Sequence, residues 1–162
     1  MPVLMLMRHG KSCWDEPWDC DHDRPLAKRG VRAAGQVGRI VSEAGLEPQL
    51  VITSSAVRAL TTARLASEAG SWSCPIETMD ELYGGGVETV LTVVRGLSSS
   101  VERTMLVGHN PTWSETVSTL IGGGAVRFPT AATACFVVNG TWDRFAAERV
   151  ELQWLIVPRL LV

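Results

Sequence analysis

The stretch Pro2-Val3-Leu4-Met5-Leu6-Met7-Arg8-His9-Gly10 contains the first strand that the sequence predicts. Its apolar run, residues 2–7, has the length and composition of a strand buried inside a sheet. The run ends on a cation and an imidazole, followed by a glycine, which is a residue that favours turns. The sequence therefore predicts a strand that delivers Arg8 and His9 to a loop.

Two further apolar runs end in polar residues of the same kinds. Residues 104–107 are followed by Gly108-His109-Asn110-Pro111, and residues 49–53 by Ser54-Ser55 and then Arg58. In an open α/β sheet, ligands bind outside the carboxyl ends of the strands. We interpret the ligand here as a phosphoryl group. The side chains expected to converge on it are Arg8, His9, Arg58 and His109.

Apolar strand-like runs alternate with helix-like patterns, which is typical of a layered α/β fold. We predict a three-layer sandwich in which helices cover both faces of a mostly parallel sheet with an antiparallel edge joined near Asn139-Gly140. Ser54 or Ser55 is expected to cap the second helix. The predicted strands span 2–7, 49–53, 104–108, 133–138 and 149–157. The predicted helices span 28–44, with an apolar stripe at Val31, Ala34, Val37, Ile40 and Val41, and 56–69, 87–97 and 111–121.

Composition indicates one globular domain over residues 1–162, since charged residues make up 20% of the chain. The formal net charge of −2 gives no basic excess, so nucleic acid is not an expected partner. No apolar stretch reaches the roughly 20 residues that cross a bilayer, so we expect no membrane association and a cytoplasmic location. The four cysteines lack framework spacing and are expected to be reduced.

Phosphoryl transfer needs an in-line nucleophile and fixed positive charge around the equatorial oxygens. A neutral imidazole can be the nucleophile, and guanidinium groups suit the oxygens because they offer paired donors. We expect Arg8 and Arg58 to depress the pKa of His9, while His109 donates to the phosphoryl oxygens. Glu81, in a predicted loop, is the candidate acid that protonates the leaving oxygen.

These motifs together resemble the histidine phosphatase superfamily, and within it the short SixA-like phosphohistidine phosphatases, which implies a phosphoglycerate mutase-like fold. Residues 6–12 resemble the strand end that carries the phosphorylated histidine, here His9, with Arg8 as its phosphate-binding neighbour. Residues 54–59 resemble the segment with the second arginine, and residues 107–111 the segment with the second histidine. Asp23-Arg24-Pro25-Leu26 resembles a stretch of the SixA-like branch and places Arg24 at the pocket. The predicted substrate-binding residues are Arg8, Arg58, His109, Arg24, Ser12 and Asn110.

Other kinds of site do not match the sequence. The spacing of Asp19, Asp21 and Asp23 resembles the start of a calcium loop. Such a loop has glycine at its sixth position and glutamate at its twelfth, where this chain has Arg24 and Gly30, so we expect a solvated acidic loop. Cys20 and His22 lack a second pair of zinc ligands, and the glycine runs complete no nucleotide motif. No metal or organic cofactor is expected. Trp14 and Trp18 either anchor a partner protein or pack against their own loop.

The resulting hypothesis is a metal-independent phosphatase that works through a phosphohistidine intermediate on His9. The resemblance makes phosphohistidine on a protein the leading substrate. An imidazole leaving group also depends less on a strong acid than an alkoxide does. The alternatives are a phosphatase for sugar or nucleotide phosphates and a noncatalytic phosphate-binding module. The sequence shows no insertions resembling the lids of mutases, which points to an open pocket.

Overall fold

A six-stranded sheet forms the centre of the protein in this computed structural model, which describes residues 1–15 and 17–161. The strand order is β3-β2-β4-β1-β5-β6. Neighbours among β1 to β4 run parallel, whereas β5 is antiparallel to both β1 and β6. The strands are β1 (Val3–Arg8), β2 (Leu50–Ser54), β3 (Ile76–Met79), β4 (Arg103–Gly108), β5 (Thr133–Val138) and β6 (Val150–Ile156). The predicted fold, a mostly parallel sheet with an antiparallel edge, is confirmed.

Five α-helices surround this sheet in the described part of the chain. They are α1 (Lys28–Glu43), α2 (Val57–Gly70), α3 (Glu81–Gly84), α4 (Val87–Arg95) and α5 (Thr112–Leu120). Short 3-10 turns lie at Asp21–Asp23, Trp142–Arg144 and Pro158–Leu160. None of the helices within residues 1–15 and 17–161 is long and apolar enough to span a membrane.

Side chains that alternate along the central strands build two cores, one on each face of the sheet. Along β1, Leu4 and Leu6 belong to one core, and Met5 and Met7 to the other. This division follows from the two-residue period of a strand. Helices α4 and α5 cover the first face, and α1 and α2 cover the second. The carboxyl ends of β1, β2 and β4 remain at one edge of these layers, where a site can form.

Two short elements, β3 and α3, were not predicted from the sequence, and the predictions for the cap of α2 and for the buried stripe of α1 were partly wrong. Strand β3 has two exposed central residues and therefore lacks the apolar run that marks the other strands. Helix α3 is a single turn. No side chain caps α2, whose N-cap residue is Ala56, so the predicted serine cap was wrong. Val31 is 41% exposed, and the buried apolar stripe of α1 begins at Ala34.

Helices α1 and α2 pack closely because small residues let their backbones approach. A Cβ added at Gly38 would lie 2.0 Å from the carbonyl oxygen of Ala66 in α2. Gly35 stands one turn earlier in α1, yet a Cβ there would meet the Ala69 Cβ at 3.5 Å, an ordinary contact. Alanine at Gly38 therefore tests the close packing of α1 against α2, whereas alanine at Gly35 tests helix propensity alone.

We predict opposite effects of alanine at these two positions on the free energy of unfolding. Gly38→Ala forces α1 away from α2 and should lower that free energy by about 1–3 kcal/mol, the usual cost of overpacking. Gly35→Ala serves as the matched control, and its better helix propensity should leave stability unchanged or raise it by up to about 1 kcal/mol. Urea unfolding measures both. Equal effects of the two substitutions would contradict the close approach.

Candidate active site

A cavity of about 450 Å³ opens at the carboxyl ends of β1, β2 and β4. Arg8 and His9 come from the end of β1, Arg58 from the first turn of α2, and His109 from the loop after β4. The lining residues are Arg8, His9, Lys11, Ser12, Trp14, Asp21, Arg24, Arg58, Tyr83, His109, Asn110 and Thr130. The arrangement concentrates guanidinium and imidazole groups at one point of the protein surface.

Most of the side chains that the sequence selected as site residues lie in this cavity. They are Arg8, His9, Ser12, Arg24, Arg58, His109 and Asn110. The amide of Asn110 donates to the Phe128 carbonyl at 2.8 Å, which uses part of its donor capacity. Glu81 is the exception, because it is exposed and lines a different cavity, of about 890 Å³, beside β3 and α4. Tyr83, two residues along the same short helix α3, lines the cavity that contains His9.

The imidazole of His9 is held in one orientation by its own backbone. Its Nδ1 lies 2.7 Å from the Gly10 carbonyl oxygen, and only a protonated Nδ1 can donate to a carbonyl. Burial lowers the pKa of His9 to about 3; the Gly10 carbonyl opposes this shift, and the charges of His109, Arg58 and Arg8 add to it. The ring is therefore neutral at pH 7, with Nδ1 protonated and a lone pair on Nε2. The predicted depressed pKa is confirmed, although burial contributes more to it than the arginines do.

A short hydrogen-bond chain connects the turn after His9 to the helix that carries Arg58. The Gly10 N–H donates to the Thr62 hydroxyl at 3.0 Å, and that hydroxyl donates to the Arg58 carbonyl at 2.7 Å. The same turn packs against the start of α1, where a Cβ on Gly10 would lie 2.7 Å from the Gly30 carbonyl oxygen. Backbone contacts thus hold His9 and Arg58 in a fixed relation.

Three buried nitrogen atoms of cavity residues lack a hydrogen-bond partner in the part of the chain that the structure describes. They are Arg8 Nε, Arg58 Nε and His109 Nδ1. Leaving a buried polar group unpaired costs about 1–3 kcal/mol, so most such groups in folded proteins are satisfied. Three of them around one cavity indicate a site built to receive an acceptor from outside the chain. The two guanidiniums make that acceptor an anion.

His109 lies beside His9 and contacts the end of β2. The two imidazole centroids are 5.1 Å apart, and His109 Nε2 lies 2.8 Å from the Ser54 hydroxyl. Burial, followed by the charge of Arg58, lowers the pKa of His109 to about 4. His109 therefore carries a single ring proton at neutral pH.

Residues 19–21 are exposed, as a solvated acidic loop predicts, but the half-exposed carboxylate of Asp21 also lines the cavity. Its carboxylate accepts from Arg58 at 3.0 Å, from Arg24 at 2.9 Å and from the Tyr83 hydroxyl at 2.8 Å. Burial alone would raise the pKa of Asp21, but hydrogen bonds from Arg24 and Tyr83, with the charge of Arg58, lower it to about 2. One carboxylate thus bridges two of the buried cations in the cavity.

Arg24 is 6% exposed and is fixed on three sides. It pairs with Asp21, donates to the Ser12 hydroxyl, and stacks 3.9 Å from the centre of the Trp14 ring. Trp14 is itself 60% exposed, and it meets Trp18 edge to face with centroids 5.6 Å apart. The placement of Arg24 at the pocket agrees with the expectation from the motif at residues 23–26. The predicted packing of Trp14 within its own loop is present, and its role as an anchor for a partner protein stays a prediction.

Tyr83 and Asp21, with Lys11, Trp14 and Thr130, are the cavity residues that were not predicted as site residues from the sequence. The Tyr83 ring stands edge-on to His109 at 5.7 Å and to His22 at 5.0 Å, so it forms a wall between two imidazoles. The chain contains a single tyrosine, which in isolation gives no signal of a site. Within residues 1–15 and 17–161, no group of three or more His, Cys, Asp or Glu side chains is arranged to hold a metal ion.

The chain is similar to known proteins both in sequence and in fold. The profile of the Histidine phosphatase superfamily (branch 1) matches residues 4–108. An uncharacterized protein of Mycobacterium leprae (strain TN) is 32% identical over 94% of this chain and 100% of its own. A provisionally assigned phosphohistidine phosphatase SixA from Nakamurella multipartitia superposes with a TM-score of 0.84 at 30% identity, over 97% of this chain and 96% of that one. The protein histidine phosphatase SixA complexed with tungstate has the same fold, with a TM-score of 0.85 at 22% identity over 99% of both chains.

We predict that Asp21→Asn tightens the binding of inorganic phosphate. The asparagine keeps an oxygen that accepts from the guanidiniums but removes a negative charge beside the anion. A repulsion of about 1 kcal/mol between charges near a surface corresponds to a gain of roughly fivefold in affinity. Isothermal titration at fixed pH measures the gain.

The matched control for this substitution is Asp143→Asn, which removes an exposed carboxylate from a turn that does not line the cavity. This variant should bind phosphate as the wild type does. Weaker binding by Asp21→Asn would contradict the prediction and show that the carboxylate acts mainly by orienting Arg24 and Arg58.

Proposed function

Because this chain belongs to the histidine phosphatase superfamily and is a phosphatase, we propose that it hydrolyses its substrate through a covalent phosphohistidine on His9. The observation that carries the proposal is the hydrogen bond from His9 Nδ1 to the Gly10 carbonyl. It leaves the Nε2 lone pair free as a nucleophile, in a cavity that also holds the unpaired donors of Arg8 and Arg58. The positive charge that the reaction needs then comes from the protein's own side chains.

In the first transfer, the Nε2 lone pair of His9 attacks phosphorus while the bond from phosphorus to the leaving atom breaks. The electron pair of that bond stays on the leaving atom, which takes up a proton from solvent. Charge on the three equatorial oxygens is met by guanidinium groups, which offer paired donors. The low pKa of His9 keeps its nitrogen unprotonated before the attack. The new phosphorus–nitrogen bond stores the phosphoryl group on the enzyme.

In the second transfer, water attacks phosphorus and the bond to His9 Nε2 breaks. The electron pair of that bond returns to Nε2, and the proton lost by water leaves with inorganic phosphate or passes to solvent. His9 is then ready for another cycle with its Nδ1 hydrogen still donated to Gly10. The same donors serve both transfers because the oxygens occupy similar positions in each.

We propose phosphohistidine on a protein as the substrate class, and the acid–base inventory of the cavity supports this choice. Among the described residues, the cavity is lined by one carboxyl group, that of Asp21, whose low pKa keeps it ionised at neutral pH. Glu81, the predicted acid, lines the other cavity. A site without a protonated carboxyl suits an imidazole leaving group better than an alkoxide. The similarity to SixA-type proteins points to the same substrate.

We predict that mixing the protein with a radiolabelled phosphohistidine protein leaves an acid-labile label on His9. The chain has three histidines, so substitution assigns the label directly. His9→Ala should abolish both label and turnover, because it removes the Nε2 lone pair that attacks phosphorus. His22→Gln is the control, since His22 does not line the cavity, and it should retain the label. A label that survives in His9→Ala would refute the mechanism, and binding without any label would indicate a noncatalytic phosphate-binding module.

We further predict a substrate order in which phosphohistidine protein turns over faster than phosphoserine peptide and sugar phosphate by about 10²-fold or more, the scale of a missing general acid. Parallel kcat/KM measurements with the three substrates at neutral pH test this order. Comparable kcat/KM values for the three substrates would indicate a general phosphatase. A preference for sugar phosphate would support the small-molecule alternative.

A further inference from the structure

Ser54 is buried at the end of β2 and contacts the second imidazole of the cavity. Its side-chain oxygen has two hydrogen-bond contacts within the described residues. It accepts from the Ala56 N–H at 3.2 Å and lies 2.8 Å from His109 Nε2. The direction of the second hydrogen bond determines which nitrogen of His109 carries the ring hydrogen.

The number of hydrogens that the Ser54 hydroxyl can donate decides the direction of its hydrogen bond with His109. A hydroxyl group has one hydrogen to donate and two lone pairs to accept with. If His109 carried its hydrogen on Nε2, Ser54 would accept twice and its own hydrogen would face no acceptor among the described residues, inside the protein. If the hydrogen sits on Nδ1, the hydroxyl donates to the Nε2 lone pair and every group around Ser54 is satisfied. Buried polar groups are normally paired, so the second arrangement is favoured.

The direction of this hydrogen bond determines whether the other ring nitrogen of His109, Nδ1, carries a hydrogen. His109 Nδ1 is buried and has no partner in the part of the chain that the structure describes. In the favoured arrangement this nitrogen carries a hydrogen and is a donor. In the opposite tautomer it would carry a lone pair, which would repel the oxygens of a phosphoryl group. The low pKa of His109 makes the choice of tautomer matter, because a neutral ring has one hydrogen to place.

We propose that Ser54 is a positioning residue that donates its hydroxyl hydrogen to His109 Nε2 and thereby keeps a hydrogen on Nδ1 for the transferring phosphoryl group. The role of that donor rests on the proposed function, whereas the tautomer is a property of the protein alone. Ser55, the next residue, offers a matched comparison, since its hydroxyl lies 3.0 Å from Nε2 of His22 instead. The two adjacent serines thus contact different imidazoles.

Nitrogen-15 spectra of the imidazole groups test the tautomer directly. The protein contains three histidines, so His→Gln variants assign every signal. Wild-type His109 should show the Nδ1–H tautomer, and inorganic phosphate should shift its Nδ1 hydrogen downfield. Ser54→Ala should move the ring toward the Nε2–H tautomer that free histidine prefers. Ser55→Ala should leave the His109 spectrum unchanged.

Turnover of a phosphohistidine peptide supplies the second readout. Ser54→Ala should lower kcat by about 10- to 100-fold, the scale of one lost donor in a transition state, and Ser55→Ala should retain wild-type kcat. An Nε2–H tautomer of His109 in the wild type would overturn the proposal without any variant. A Ser54→Ala protein with unchanged kcat would also overturn it. A wild-type protein with the Nδ1–H tautomer and no turnover would instead refute the proposed function and leave the tautomer assignment standing.

Discussion

Burial of positive charge at one end of the sheet is the constraint on which the site depends. Arg24 and Arg58 are each 6% exposed, and burial lowers the pKa of Arg8. A buried cation is unfavourable unless it is paired and hydrogen-bonded. Asp21 supplies the pairing for Arg24 and Arg58, while Arg8 donates to the Phe128 carbonyl. The Nε atoms of Arg8 and Arg58 remain for a ligand, and this explains why an anion is the natural complement of the cavity.

The fold makes this concentration of charge possible by fixing the backbone around it. Gly10 and Gly30 let the loop after β1 touch the start of α1, and a Cβ on Gly108 would lie 2.4 Å from the Trp113 ring. Thr62 links the His9 turn to the Arg58 carbonyl through two hydrogen bonds. These contacts hold side chains that lie up to a hundred residues apart in sequence. Such a site needs little rearrangement when an oxyanion enters.

Most of the candidate site could be predicted from the residues that follow the strands. Arg8, His9, Arg58 and His109 follow apolar runs, and the edge rule for parallel sheets places such residues together. Asp21 gave no such signal, because an acidic residue among Asp19 and Asp23 is typical of a solvated turn and its partner Arg58 is 37 residues away. Glu81 and Tyr83 lie two residues apart on the single turn α3, which directs them to different cavities. A loop assignment from sequence cannot distinguish those two directions.

A crystal structure with bound orthovanadate tests the central claim most directly, because vanadium adopts the geometry of a phosphoryl group in transfer. We predict one vanadate in the cavity, with His9 Nε2 bonded to vanadium and the vanadate oxygens within hydrogen-bond distance of Arg8 Nε, Arg58 Nε and His109 Nδ1. A vanadate bound away from His9, or held through His9 Nδ1, would contradict it.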